Sequence, residues 1–216
     1  MVGLKKWVVL SGVALLPHMM QCAKQIQVVD PDAKLLLTAE HGLMDQGTHM
    51  LQIQISPWID TKETRTKLRK STVPVTEPIG MLLVLFNDPF KVGIIARVDV
   101  EEKYRSLRYG FYLFNLAIDL MKKRLFATAY WVAKPDYAKN DTHEQKVAKL
   151  NKLVGLYGRF GGKVVEDNST GVEPHKKMQG KIEDLPENMG ISINKSIIDQ
   201  ISSILGPLPS ESRSRL

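Results

Sequence analysis

The chain has 216 residues, with 30 Lys and Arg against 23 Asp and Glu and a formal charge of +7. Its length supports one domain with extensions rather than two, and 44% hydrophobic with 25% charged residues is the balance of a globular protein. No stretch reaches the ~20 apolar residues that span a bilayer, which excludes a multi-pass membrane protein; the pI near 9.4 suits an anionic partner such as nucleic acid, an acidic membrane surface or a phosphate-bearing cofactor.

Lys5 and Lys6 precede an apolar run over residues 7–20 that resembles the start of a signal peptide. Met20 and Gln21 fit poorly ahead of a cleavage site at Cys22 or Ala23, so residues 7–29 are read instead as a core strand and helix. Cys22 is the only cysteine, which rules out an intramolecular disulfide, fits a reducing and so cytoplasmic compartment, and in an apolar stretch reads as an inert thiol. Residues 34–38 form a candidate strand, and residues 50–55 alternate apolar and polar as a half-buried strand does. Residues 60–78 carry Lys62, Arg65, Lys67, Arg69 and Lys70 with no apolar face, an exposed connection; without interleaved aromatics it is not a nucleic-acid patch. Residues 80–86 and 91–100 read as two central strands joined by the turn Asn87-Asp88-Pro89.

Residues 111–121 are apolar almost throughout and are followed by Lys122, Lys123 and Arg124, which marks a buried helix with cations at its negative end. A strand follows over residues 125–133, so strand, helix and strand imply a crossover and a parallel or mixed sheet. Thr142 and Gln145 have capping-box spacing, and Val147, Leu150, Val154 and Tyr157 share one helical face up to a left-handed stop at Gly161-Gly162. A short strand starts at residues 163–165, residues 166–188 look irregular and polar, and Ile197, Ile198, Ile201, Ile204 and Leu205 predict a helix over residues 196–205. The closing Ser214-Arg215-Leu216 is close to a peroxisomal address but reads as a solvated tail. The division is an N-terminal segment (1–33), a core (34–166) and a C-terminal extension (167–216).

The stretch most suggestive of chemistry is the loop from Val98 to Gly110, between a strand and a long helix. Such a loop aims free backbone N–H groups and the positive end of a helix dipole at one spot, a site for phosphate that Arg105 and Arg108 would strengthen. The loop alone does not separate this from a basic turn that binds nothing. The five histidines are scattered, no metal-ligand spacing occurs, and neither a Gly-x-Ser-x-Gly elbow nor a Gly-Lys-Ser/Thr phosphate loop is present, so no metal is expected.

Arg105-Ser106-Leu107-Arg108-Tyr109-Gly110 resembles the Arg/Gln-x-x-Gly-x-Gly/Ala loop of the Gcn5-related N-acetyltransferase family, with Arg108 where the middle glycine is usual. Leu156-Tyr157-Gly158-Arg159-Phe160-Gly161-Gly162 is similar to that family's Leu-Tyr-x-x-x-Gly-Phe helix ending, with Gly162 in place of phenylalanine. The resemblance implies an α/β fold with a mixed central sheet flanked by helices and strands splayed around an acyl-CoA groove. It implies that residues 96–100 splay from their neighbour, with backbone groups near Val98 and Val100 pairing with pantetheine, and that the N–H groups of residues 105–110 hold the pyrophosphate of acetyl-CoA. Tyr157 then matches the tyrosine that protonates the departing thiolate, and Asn151 lies one position out of register with a CoA-contacting asparagine. The strand at residues 91–96 lacks the glutamate that some members use as base, and Asp99, Glu101, Glu102, Asp136, His143 and Glu144 are unassigned alternatives.

Two readings follow. One is an N-acetyltransferase using acetyl-CoA and an amine-bearing small molecule or protein as acceptor; the other is an inactive module of the same fold that binds an anionic partner through its basic surface. Acceptor specificity is expected in loops such as residues 40–50 and 135–141, and a homodimer stays open.

Overall fold

The computed structural model describes residues 21–44, 48–59, 61, 77–186 and 191–206. The apolar run 7–20, most of the basic connection 60–78 and Ser214-Arg215-Leu216 lie outside the described residues.

Eight strands form one sheet in the order β1-β2-β3-β4-β5-β6-β8-β7. They are β1 (Gln21–Asp30), β2 (Leu35–Leu43), β3 (Thr48–Pro57), β4 (Gly80–Asn87), β5 (Val92–Val100), β6 (Thr128–Ala133), β7 (Lys163–Asn168) and β8 (His175–Lys181). The first five are antiparallel neighbours, β5 and β6 run parallel, and β8 lies antiparallel between β6 and β7. The sheet is therefore mixed, as expected, and its parallel pair is joined by α1 (Tyr109–Lys123) in a crossover. Helix α2 (His143–Arg159) links β6 to β7, and α3 (Lys195–Ile204) follows β8.

In β4 burial alternates residue by residue, with Leu82, Val84 and Phe86 turned to the core. Helix α1 covers that face and buries Leu113, Leu116, Ala117, Leu120 and Met121 completely. Gly93 of β5 lets α1 sit close, because a Cβ there would lie 2.4 Å from the Met121 side chain. The Tyr112 hydroxyl donates to the buried Asp30 carboxylate at 2.7 Å and ties α1 to β1. Burial and that carboxylate hold the Tyr112 phenol well above its ordinary range. The capping box forms as its spacing predicts: Gln145 N–H donates to Thr142 Oγ1 at 3.3 Å and Thr142 N–H to Gln145 Oε1 at 2.9 Å. Gly161 then takes a φ of +83°, the left-handed stop.

Three sequence expectations change. The strand after α1 begins at Thr128 rather than residue 125, because Leu125 turns at a φ of +57° and stands exposed. Residues 40–50 are mostly strand: β2 runs to Leu43 and β3 begins at Thr48. The stretch 166–188, read as irregular, contains β8 inside the sheet. Its sequence HKKMQGK lacks apolar alternation because Met178 is its one buried hydrophobic residue, while Lys176 and Lys177 pair with Asp167 and Glu166 of β7 at 2.8 and 2.6 Å. Both segments flanking residues 34–166 thus contribute strands to the sheet.

Candidate functional site

Strands β5 and β6 pair only from Val92 with Thr128 to Ile95 with Trp131. Beyond that point β5 continues through residues 96–100 along β4 alone, after a register shift opposite Leu83 and Val84. The Glu101 N–H donates to Ile79 of β4. Because backbone groups alternate along an antiparallel strand, Val98 and Val100 direct their N–H and C=O groups to the opposite edge, into the gap left by β6. Their side chains sit on the helix-covered face, Val100 buried and Val98 packed against the core.

At the end of β5 the chain forms a six-residue 3-10 helix, Glu102–Leu107, rather than the open loop expected. Arg105, Ser106, Leu107 and Arg108 are exposed and Tyr109 and Gly110 half-buried. Arg108 joins this turn to α1 with φ 60° and ψ 16°, and its carbonyl accepts from the Phe111 and Tyr112 N–H groups. No side chain caps α1, so the first helical N–H groups, at Tyr109 and Gly110, have no intrahelical acceptor. The surroundings of Gly110 are open: an added Cβ would meet only Val100, at 4.0 Å. Arg108 thus holds a left-handed backbone that a glycine adopts without strain. Arg108→Gly is expected to hold or raise Tm, and Arg108→Val to lower it by a few degrees, since a β-branched residue there costs roughly 1–2 kcal/mol; a thermal melt reads both.

Arg105 is not a free cation. Its Nε donates to the Val100 carbonyl at 3.1 Å, and Nη2 lies 2.5 Å from Asp136 Oδ2, in the loop after β6. This contact spans the gap between the parted strands. Other loop carboxylates are engaged elsewhere: Asp99 bonds Arg97 at 2.6 Å and Glu101 bonds Lys103 at 3.2 Å. Glu102, His143 and Glu144 are exposed.

Tyr157 lies on the inner face of α2. Its ring stacks on Phe114 of α1 at 5.4 Å and meets Trp131 edge-on at 5.8 Å. Trp131 is the last β6 residue paired with β5, so Tyr157 stands beside the point where the strands part. Its hydroxyl makes no hydrogen bond to a described residue, and burial pushes its phenol above the ordinary value, leaving it protonated at neutral pH. Asn151 is exposed and lies off the stripe formed by Leu150, Val154 and Tyr157.

No protein-family model matches the sequence, and no curated protein matches it. Solved structures do. The ribosomal-protein-S18-alanine N-acetyltransferase from Escherichia coli is 14% identical over 67% of this chain and 75% of its own, with a TM-score of 0.39. A putative acyl-CoA N-acyltransferase from Klebsiella pneumoniae is 15% identical over 65% and 76%, with a TM-score of 0.38. The PaiA N-acetyltransferase from Thermoplasma acidophilum, solved with coenzyme A, is 14% identical over 61% and 60%, with a TM-score of 0.37. The order of strands, the α1 crossover and the parting of β5 from β6 are features of this chain independent of these likenesses.

The mixed eight-stranded sheet, its crossover helix and the parting of two neighbouring strands agree with the architecture that the sequence resemblance implies.

The glycine at position 162 has a local cause. A Cβ there would lie 2.6 Å from Trp131 Cζ2, and one at Gly180 would lie 3.1 Å from Trp131 Cη2. The indole occupies the space that a phenylalanine at position 162 would need.

Sequence reasoning missed a polar chain at the other end of the sheet. His41 Nε2 and His49 Nδ1 are 2.9 Å apart, His49 Nε2 lies 3.2 Å from Asp88 Oδ2, and Arg124 Nη2 lies 2.6 Å from that same oxygen. Asp88 and Arg124 side chains are only 2% and 3% exposed. Burial lowers the pKa of both histidines; His49, Lys24 and Arg124 add to this for His41, while for His49 Asp88 opposes it and Arg124 adds to it. The available signal was the hairpin: His41 opposes Leu51 and His49 opposes Leu43, which sets the two rings diagonally on one face.

Proposed function

We propose that the chain is an N-acyltransferase that moves an acetyl group from acetyl-CoA to an amine on a small molecule or a protein. The observation that carries this reading is the free edge of β5 at residues 96–100, opening beside a helix N-terminus with no side-chain cap. Val98 and the Val100 N–H can pair with an extended pantetheine arm as though it were an added strand. The N–H groups of Tyr109 and Gly110, with the guanidinium groups of Arg105 and Arg108, suit a pyrophosphate. Bound acetyl-CoA would supply a thioester carbonyl for the amine nitrogen to attack. Tyr157 supplies the proton that the departing sulfur takes up, and its raised pKa keeps that proton in place at neutral pH. The attacking amine gives up its own proton to water. The second reading, an inactive binding module of the same fold, is separated from the first by turnover.

The first test is the melting temperature with and without acetyl-CoA, beside an Arg105→Glu variant. At a hundred times its dissociation constant the donor should add about 2.7 kcal/mol, roughly 5–10 °C for a chain of this size, and the variant should lose the shift. No shift at millimolar acetyl-CoA would sink the donor assignment.

A further inference from the structure

Arg105 and Asp136 come from opposite sides of the gap between β5 and β6. Exposed ion pairs between long side chains are commonly loose; here Asp136 is 72% exposed, but the Arg105 end has a second anchor. On the β5 side, Arg105 Nε is anchored on the Val100 carbonyl at 3.1 Å. On the β6 side, the residues around Asp136 are each tied down: Lys134 bonds Glu173 at 2.6 Å, the Tyr137 hydroxyl donates to the Pro174 carbonyl, and Ala138 N–H donates to Asp141 Oδ2 at 2.7 Å. The carboxylate therefore meets the guanidinium across the mouth of the gap, joining the turn after β5 to the loop after β6.

We infer that Asp136 sets the affinity of the site for its donor by occupying the Arg105 guanidinium that a pyrophosphate must take over. The inference rests on the donor reading above. Carboxylate and phosphate oxygens compete for the same fork of N–H donors. A pyrophosphate carries more negative charge than one carboxylate and displaces Asp136, but Asp136 stays nearby as a like charge. Asp136 is thus a positioning residue, acting through Arg105 and touching neither the acyl group nor the acceptor.

The experiment is calorimetric titration of coenzyme A into the full chain and into Asp136→Asn, at low and high salt. The variant is expected to bind about three- to tenfold more tightly at low salt, with the gain shrinking at roughly 0.5 M salt. The gain is absent for acetyl-pantetheine, which has no pyrophosphate, and Asp136→Glu keeps the wild-type affinity. Asp199→Asn removes the same charge at the Lys123 contact between α1 and α3 and leaves the affinity unchanged. Unchanged or weaker binding by Asp136→Asn, an equal gain with acetyl-pantetheine, or an equal gain in Asp199→Asn overturns the inference while the donor reading stands. A wild-type chain that binds no coenzyme A overturns the donor reading and this inference with it.

Discussion

Tyr157→Phe is expected to lower kcat for acyl transfer about a hundredfold, the lower end of what a positioned proton donor contributes. The ring contacts with Phe114 and Trp131 survive the change, and the lost hydroxyl has no partner among the described residues. Folding stability and the melting shift given by acetyl-CoA should therefore stay as in the wild type. Initial rates of thiol release with an accepted amine measure the loss; KM for the donor should move little, because the hydroxyl acts on the leaving sulfur rather than on binding. An unchanged kcat would reduce Tyr157 to packing. Since burial raises its pKa, any alkaline fall in rate that stems from this group should set in above the ordinary phenol value.

The largest stability loss is expected from Asp88→Asn. Arg124 is 97% buried by its side chain's 3% exposure, and its charge is balanced by Asp88 at 2.6 Å. Removing one partner of a buried pair costs about 3–5 kcal/mol, because the other charge is left without compensation. For a chain of this size that is a Tm lower by roughly 6–20 °C, read by calorimetry. The same cluster predicts an acid limb. His41 and His49 have lowered pKa values in the fold, so on acidification the unfolded chain takes up protons first. Stability is then full above pH ~6.5 and falls as pH drops below it, by at most about 1.4 kcal/mol per pH unit for each histidine. Melting curves between about pH 7.5 and 5 test the sign. A double variant His41→Phe, His49→Leu should flatten this limb, and an unaltered slope would remove the two rings as its cause.

Local signals carried much of the architecture. The Thr142 and Gln145 capping box, the Gly161 stop and the apolar run of α1 act within a few residues of themselves, so the helices were legible. The entry of β5 into α1 was legible as a strand-to-helix connection, though not its 3-10 turn, and Tyr157 as a residue of the inner face of α2. What sequence could not supply were partners set by the closing of the sheet. Asp136 is 31 positions from Arg105 and Asp88 is 36 from Arg124, and neither spacing is a motif. Strand β8 was hidden because its cohesion comes from lysines paired with the carboxylates of β7, a pattern indistinguishable from a solvated loop until the register is known.

The place of β8 also orders events during synthesis. Trp131 of β6 pairs with Met178, which leaves the ribosome 47 residues later, whereas β1 to β5 pair with sequence neighbours. A nascent chain ending before residue 175 can assemble the antiparallel half and the α1 crossover, yet it presents β6 as a raw edge. Such high-separation contacts are late to form and slow. The half of the molecule bearing Tyr157 is thus the last to become rigid, and a release of the chain before Lys181 has emerged exposes an aggregation-prone strand rather than a smaller working protein.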